Sequence, residues 1–326
     1  MMMNLASGSK AEKLVSIVMP VYNGEELLEE TLSRLVSQDY AHLEIIICDD
    51  ASTDRTQQIC LDFARRDRRI RYVRNEVNLG LWPNLLRAFS LATGEYVMGV
   101  AHDDIHVQGL ISTLSSELEA HPEAAMAFCA MGIVDFHGNL VSTKFDDMPY
   151  SVRSLGAFGL YRLWFSREPG VVGYSRRVDG NASGALFRRD VVAKAIRFVR
   201  EKKSLTGGYD VLLPLYCLQY GDYLFRKERL FFRRLKEKVV PSGLATRQFR
   251  VSGHAGVGMW ARKLVGVLRA PVFGLTYYGP QWWWIRKCIP FTELSIRQRW
   301  EIERRVVAIM AAKCLNWVGV ALRQQF

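Results

Sequence analysis

At 326 residues, with 49% hydrophobic and 24% charged residues, the chain can bury a sizeable core, which argues against an intrinsically disordered protein. It has no run of 18 uninterrupted apolar residues, and its first residues, MMMNLASGSKAEK, lack the apolar centre of a secretory signal, so neither a spanning helix nor a secretory path is expected. The net charge of +11 is the balance of two unlike halves: Lys+Arg minus Asp+Glu is −10 over residues 1–150 and +21 over residues 151–326, so the second half suits an anionic partner.

In chain order, LVSIVMPVY reads as a buried strand, and Asn23 and Gly24 open GEELLEETLSRLVSQ. There Leu28, Leu32, Leu35 and Val36 fall on one helical face, with acids crowding the first turn. LEIIICDD is a second strand; Ser52 or Thr53 is the expected cap of a helix carrying Thr56, Ile59, Cys60 and Phe63. IRYVRN is a short third strand, and Trp82, Leu85, Leu86 and Phe89 form a stripe on the helix after the turn NLG. ATGEYVMGVA returns to strand, and the loop after it is VAHDDIH. Alternating strands and helices predict a parallel sheet, whose ligands gather beyond the carboxyl ends of the strands. Asn23, Asp49, Asp50 and His102 to Asp104 all follow predicted strands and should meet on that edge.

From about residue 136 the rhythm breaks. Helical segments resume around 191–199 and 209–219, and YLFRKERLFFRRLK predicts a last strand and a basic turn. Beyond about residue 240 the chain is basic and aromatic, with Trp282 to Trp284 in TYYGPQWWWIRK, and ends in an amphipathic helix pattern. The six cysteines, Cys48, Cys60, Cys129, Cys217, Cys288 and Cys314, form no C-x-x-C pair, so a reduced, cytoplasmic setting is expected.

HDDIH carries three readings. His102-Asp103-x-x-His106 imitates the H-E-x-x-H zinc signature, but that signature requires a helix and the preceding residues are strand-like. Asp103 and Asp104 suit a hard cation, which takes one or two protein carboxylates and completes its shell with water and a diphosphate. The same acids also suit capping of a helix beginning near 107–109. Asp49 and Asp50 on the same edge favour the cation, because four gathered carboxylates repel one another unless a cation or hydrogen-bond donors intervene.

These motifs carry a resemblance. PVYNGEELLEETLSRLVSQDYAHLEIIICDDASTDRTQQIC, followed by NEVNLGLWPNLLRAFSLATGEYVMGVAHDD, is similar to the family 2 glycosyltransferases of the GT-A fold, densely over residues 14–115 and thinly to about 235. The resemblance implies an α/β fold with a Rossmann-like, mixed but mainly parallel sheet flanked by helices, and a basic, aromatic, largely helical C-terminal appendage. It implies a flexible N-terminus over 1–13, a catalytic domain over 14–238 and an extension over 239–326 that packs on the core or lies on a membrane surface. Within the catalytic domain, 14–135 is the nucleotide-sugar half and 136–238 the acceptor half. Pro20, Val21, Tyr22, Asn23 and Glu25 would serve the base and ribose with Ser52, and Asp49 would accept from the base. Asn78, Gly80 and Asn84 would border the nucleotide, with Ala101, His102 and Asp103 on the donor side. Asp104 is the expected ligand of Mg2+ or Mn2+, with Asp103 beside it; His102 stands where the family more commonly has Asp, which makes it a further candidate ligand and puts metal identity in question.

The implied reaction inverts the anomeric carbon of a nucleotide diphosphate sugar and joins it to a hydroxyl acceptor, such as a lipid-linked saccharide, in cell-surface polysaccharide, O-antigen or glycolipid synthesis. It needs a general base, for which Asp210 at the head of DVLLPLYCLQYG is the candidate and Asp179 the alternative. Gln298, Arg299 and Trp300 lack the Q-x-x-R-W spacing of processive members, so a long polymer is not expected. The expected setting is the cytoplasm, peripheral to an anionic membrane, without nucleic acid as partner. The rival reading is a non-catalytic basic protein binding membrane or nucleic acid on a relic transferase fold.

Overall fold

The structure is a computed structural model and describes residues 12–144, 150–155, 183–201, 213–214, 216–218, 220–235, 295–297 and 300. Strands β1 (Val15–Val21), β2 (Leu43–Asp49), β3 (Ile70–Arg74) and β4 (Tyr96–Gly99) form the parallel part of one sheet, in the order β3-β2-β1-β4. Every residue of β1 is buried and nearly every residue of β2, as expected of strands covered on both faces. This explains why they read as unbroken apolar runs. Pro20 sits in β1 without disrupting the sheet: β4 stops at Gly99, opposite Val18, so no neighbour waits on that side for the N–H that Pro20 lacks.

Helix α1 (Leu28–Val36) buries Leu28, Leu32 and Leu35 as its spacing predicts, with Thr31 beside them. Helix α2 (Thr56–Arg66) begins without a side-chain cap, which corrects the expectation for Ser52 and Thr53. Asp54 accepts from the Thr56 N–H instead, and the two hydroxyl residues serve the neighbouring turn. Helix α3 (Leu81–Leu91) packs on β1 and β2 through Asn84, Ala88 and Phe89. Trp82 and Leu86 are only half-buried, so the buried face is displaced from the apolar stripe that the sequence suggests. A polar Asn in that face has a structural cause, given below.

The second part of the sheet is antiparallel in character. After the short strand β5 (Ile105–His106) and helix α4 (Leu110–Ala120), β6 (Ala124–Val134) turns through Asp135–Gly138 into β7 (Leu140–Lys144). Then β8 (Leu186–Arg188) lies antiparallel to both β4 and β6 and leads into helix α5 (Arg189–Glu201). The long β9 (Asp222–Arg234) runs parallel to β6 and antiparallel to β5. The result is the expected mixed sheet flanked by helices, with as many antiparallel as parallel pairings where a mainly parallel sheet was expected, and it is bounded at one end by β9 and β5. The apolar core is continuous from β1 to Phe231. The expected extension 239–326 lies outside the described residues except 295–297 and 300, and the N-terminal segment before residue 12 lies outside them altogether.

Candidate functional site

Parallel register sets the carboxyl ends of β1, β2 and β3 side by side, with Val21 opposite Asp49 and Asp49 opposite Arg74. β4 ends beside them. Two of the loops leaving this edge are joined to each other. Asn23 and Ala51 both adopt left-handed backbone, with φ of 49° and 60°. This geometry turns the Asn23 N–H onto the Ser52 hydroxyl (2.9 Å) and brings the Asn23 side-chain oxygen to the Thr53 N–H (2.9 Å). The Gly24 N–H reaches the Thr56 hydroxyl at 2.8 Å, the Glu25 N–H donates to Asp54, and the Arg55 N–H donates to Glu25. Tyr22 stays exposed beside this junction. The turn Pro20 to Glu25 and the segment around Ser52 are therefore bonded into one surface.

Asp49 and Asp50 divide the work. Asp49 is buried; it accepts from the Ser52 N–H at 2.9 Å, the Tyr72 hydroxyl at 2.5 Å and the Arg74 guanidinium at 2.6 Å. Arg74 also donates to the Ser52 carbonyl and is a third exposed, so solvent meets the guanidinium and not the Asp49 carboxylate. Burial and the Asp49 carboxylate hold the Tyr72 phenol well above its usual range, which keeps it a hydrogen-bond donor. Asp50 accepts from the Asn75 amide (2.7 Å) and from the Leu79 and Gly80 N–H groups (2.8 Å each), and so fixes the N-L-G turn. Gly80 has φ of 84°, a region that glycine tolerates. Asn84 lies inside the fold behind this edge. It is 1% exposed, accepts from Asn75 and donates to the Cys48 carbonyl, so it braces the end of β2 from behind. Arg87 completes this network by donating to the Asn75 side-chain oxygen Oδ1.

The loop after β4 separates the acids of HDDIH. Asp104 turns inward: it is 5% exposed and accepts the Arg234 N–H at 2.9 Å. Burial, then the neighbouring Asp103 charge, pushes its pKa up to about 7. Asp103 is only half-buried. The loop backbone is held by the Thr31 hydroxyl, which reaches the His102 and Asp104 carbonyls. His102 lies against Gly24, where an added Cβ would come within 2.8 Å of its Cδ2. Neither acid caps α4, which starts at Leu110 without a side-chain cap. Nor are His102 and His106 on one helix, which removes the zinc-signature reading: His106 is in β5, fully buried against Phe231 at 5.4 Å between ring centroids. Among the described residues no group of three or more His, Cys, Asp or Glu is placed to hold a metal. What remains is the half-buried Asp103 beside the inward Asp104, and a single carboxylate fits a cation that takes most of its ligands from water and a substrate diphosphate.

His106 has a measurable consequence of its own. Both ring nitrogens are buried without hydrogen-bond partners, and burial lowers its pKa to about 3 from an ordinary value of 6.5. A depressed folded pKa means that the unfolded chain binds the extra proton between pH 6.5 and 3. The neutral ring's full contribution is therefore present above pH 6.5 and is lost as pH falls towards 3. Urea titrations from pH 7 to 4 should show a slope that includes roughly 1 kcal/mol per pH unit from this one proton, and His106→Leu should remove that part of it. An identical slope in the two proteins would show that His106 is not neutral in the fold.

Among the described residues four cysteines, Cys48, Cys60, Cys129 and Cys217, are buried and in no disulfide, as core residues are. No helix of the described residues is long and apolar enough to cross a membrane. The candidate bases Asp210 and Asp179 lie outside the described residues, as do Trp282 to Trp284. Three contributors were not singled out by sequence reasoning: Asn75, Arg74 and Arg234. Their signal was weak, since Arg and Asn at strand ends are usually surface groups, and only the register places them against buried carboxylates.

A family model described as glycosyl transferase family 2 matches residues 16–194, more than half of the chain. The chain belongs to glycosyl transferase family 2. Within that family it is similar to the glycosyltransferase GlyG of Streptococcus pneumoniae serotype 4, at 36% identity over 33% of this chain and 36% of GlyG. WcaA of Escherichia coli K12, named for colanic acid biosynthesis, is 38% identical over 29% of this chain and 34% of its own length. The chain thus spans about a third of the length of these relatives. Among solved structures, residues 1–349 of Staphylococcus aureus TarS in complex with UDP-GlcNAc share the fold, with a TM-score of 0.56 at 16% identity over 96% of this chain and 92% of TarS 1–349.

Proposed function

We propose that this family 2 protein transfers a sugar, with inversion, from a nucleotide diphosphate donor to a hydroxyl acceptor in cell-surface polysaccharide, O-antigen or glycolipid synthesis. The observation that carries this reading is the linked pair of turns after β1 and β2 on the carboxyl edge of the parallel strands, with the loop after β4, bearing the half-buried Asp103, packed against them through His102 and Gly24. Support for the donor class comes from the fold it shares with TarS, solved with UDP-GlcNAc, and support for the setting from the name of WcaA.

In this reading Tyr22, Asn23 and Ser52 take the base and ribose, with Pro20, Val21 and Glu25 shaping the turn. The Asp49–Arg74 pair meets the base edge, while Asn78 and Gly80 close the far side. Asp103 faces the diphosphate and is the main protein ligand of a divalent cation, Mg2+ or Mn2+; Asp104, buried behind it, is the support and not the principal ligand. Bound there, the cation would offset the charge that develops on the leaving diphosphate. We assign His102 to the packing between this loop and Gly24, with Ala101 preceding it. Asp210, or Asp179 in its place, takes the acceptor hydroxyl proton as the acceptor oxygen displaces the diphosphate from the opposite face of the sugar. The chain acts in the cytoplasm, and its basic, aromatic extension suits an anionic membrane surface beside a lipid-linked acceptor.

Thermal unfolding with UDP-, GDP-, dTDP- and CMP-sugars, each with and without Mn2+, tests the reading. A ligand at a hundred times its dissociation constant adds about 2.7 kcal/mol, so at least one diphosphate sugar is expected to raise the melting temperature by several degrees, and more with Mn2+. Absence of any shift across the series would remove the donor site.

A further inference from the structure

Arg234, the last residue of β9, is 8% exposed, and its hydrogen-bond partners explain why a guanidinium is buried there. Its backbone N–H donates to the Asp104 carboxylate, its Nε to the Asp103 carbonyl at 3.0 Å, and its Nη1 to the Phe136 carbonyl at 2.6 Å. Its Nη2 meets Glu30 of α1 at 2.7 Å, and Glu30 is in turn paired with Arg34 one helical turn away. One residue thus grips both acids of the β4 loop, the β6–β7 turn and α1. The planar guanidinium suits this task because its donors point in several fixed directions, which a lysine ammonium does not reproduce. The loop is held from the other side by Thr31 of α1. An ordinary buried salt bridge would join two elements; this one spans the segment that bears the candidate cation ligand.

We propose that Arg234 is a positioning residue for the cation site: with Glu30 it fixes the backbone at Asp103–Asp104 so that the Asp103 carboxylate faces the diphosphate. The inference rests on the donor-site reading above and adds to it a residue remote in sequence, on the last strand of the sheet. It does not place Arg234 on the substrate, since the guanidinium's donors are directed at carbonyls and at Glu30. Groups that orient a metal ligand typically change metal affinity by about 10- to 100-fold when removed, and this is the scale expected here.

The test is calorimetric titration of Mn2+ into the full chain in the presence of saturating UDP, with circular dichroism to check the fold. Asp103→Asn serves as the reference and should abolish the Mn2+ heat. Arg234→Lys should weaken Mn2+ binding by about 10-fold or more while UDP affinity without metal stays near wild type, a split that general loss of packing would not produce. Glu30→Gln, at a side chain 40% exposed and therefore safe for folding, should shift Mn2+ affinity in the same direction by less. If Arg234→Lys fails to fold, Glu30→Gln decides the matter alone. Wild-type Mn2+ affinity in Glu30→Gln and in any folded Arg234→Lys overturns the inference and leaves the donor site standing. Absence of Mn2+ binding to wild type removes the cation reading itself, and the inference falls with it.

Discussion

Asp103→Asn is expected to lower kcat/KM for sugar transfer by about 10²- to 10³-fold, because a cation's stabilisation of the leaving group is worth several kcal/mol and each 1.36 kcal/mol is a factor of ten. Asp104→Asn should cost much less. The two acids are adjacent in sequence, yet only Asp103 keeps contact with solvent, whereas Asp104 accepts a peptide N–H from β9 inside the fold. An asparagine at 104 can still accept that bond through its carbonyl oxygen. With a pKa pushed up to about 7, the Asp104 carboxyl is moreover partly protonated at neutral pH. Initial rates for both variants across a Mn2+ series would tell the roles apart. A larger loss for Asp104→Asn than for Asp103→Asn would reverse the assignment and restore the order suggested by the sequence.

Asp50→Ala should have the largest effect on stability, about 3–5 kcal/mol, or on the order of 10 °C in melting temperature. Its carboxylate takes three donors, from the Asn75 amide and the Leu79 and Gly80 peptides, and truncation leaves all three facing a void. The damage should spread, since Asn75 also bonds Asn84 and Arg87, and Asn84 holds the Cys48 carbonyl at the end of β2. Denaturant unfolding of Asp50→Ala and of Asn84→Ala would measure the network; near-wild-type stability in both would mean that the turn is held by packing alone. Asp50→Asn is the informative intermediate, because it keeps the volume but turns one acceptor into a donor.

The parallel half of this fold was legible in the sequence because its strands are buried on both faces and its helices bury one side. VSIVMPV and LEIIICD are continuous apolar runs, and α1 buries the Leu28, Leu32 and Leu35 that its spacing selects. The stripe on α3 misled for a physical reason: its inner face carries Asn84, whose partners are a strand carbonyl and another amide, and no apolar periodicity reports a satisfied polar group. Ser52 and Thr53 look like helix caps, but their partners are 29 and 30 residues away in sequence, at Asn23. Asp103 and Asp104 read as equivalent in the string of letters. Only the pairing of β9 with β5 and β6, which brings residue 234 to residue 104, distinguishes them. The family resemblance identified the edge that matters, while the division of labour among its acids came from long-range contacts.

The stitching of the Asn23 turn to the Ser52–Thr56 segment bears on how a nucleotide would arrive. Two loops of this kind left independent would each have to be immobilised by the ligand, and the ordering would be subtracted from its affinity. Here that entropy is already lost when the chain folds, through bonds between the loops themselves. A nucleoside would meet a surface already built, with little loop ordering left to subtract from its affinity.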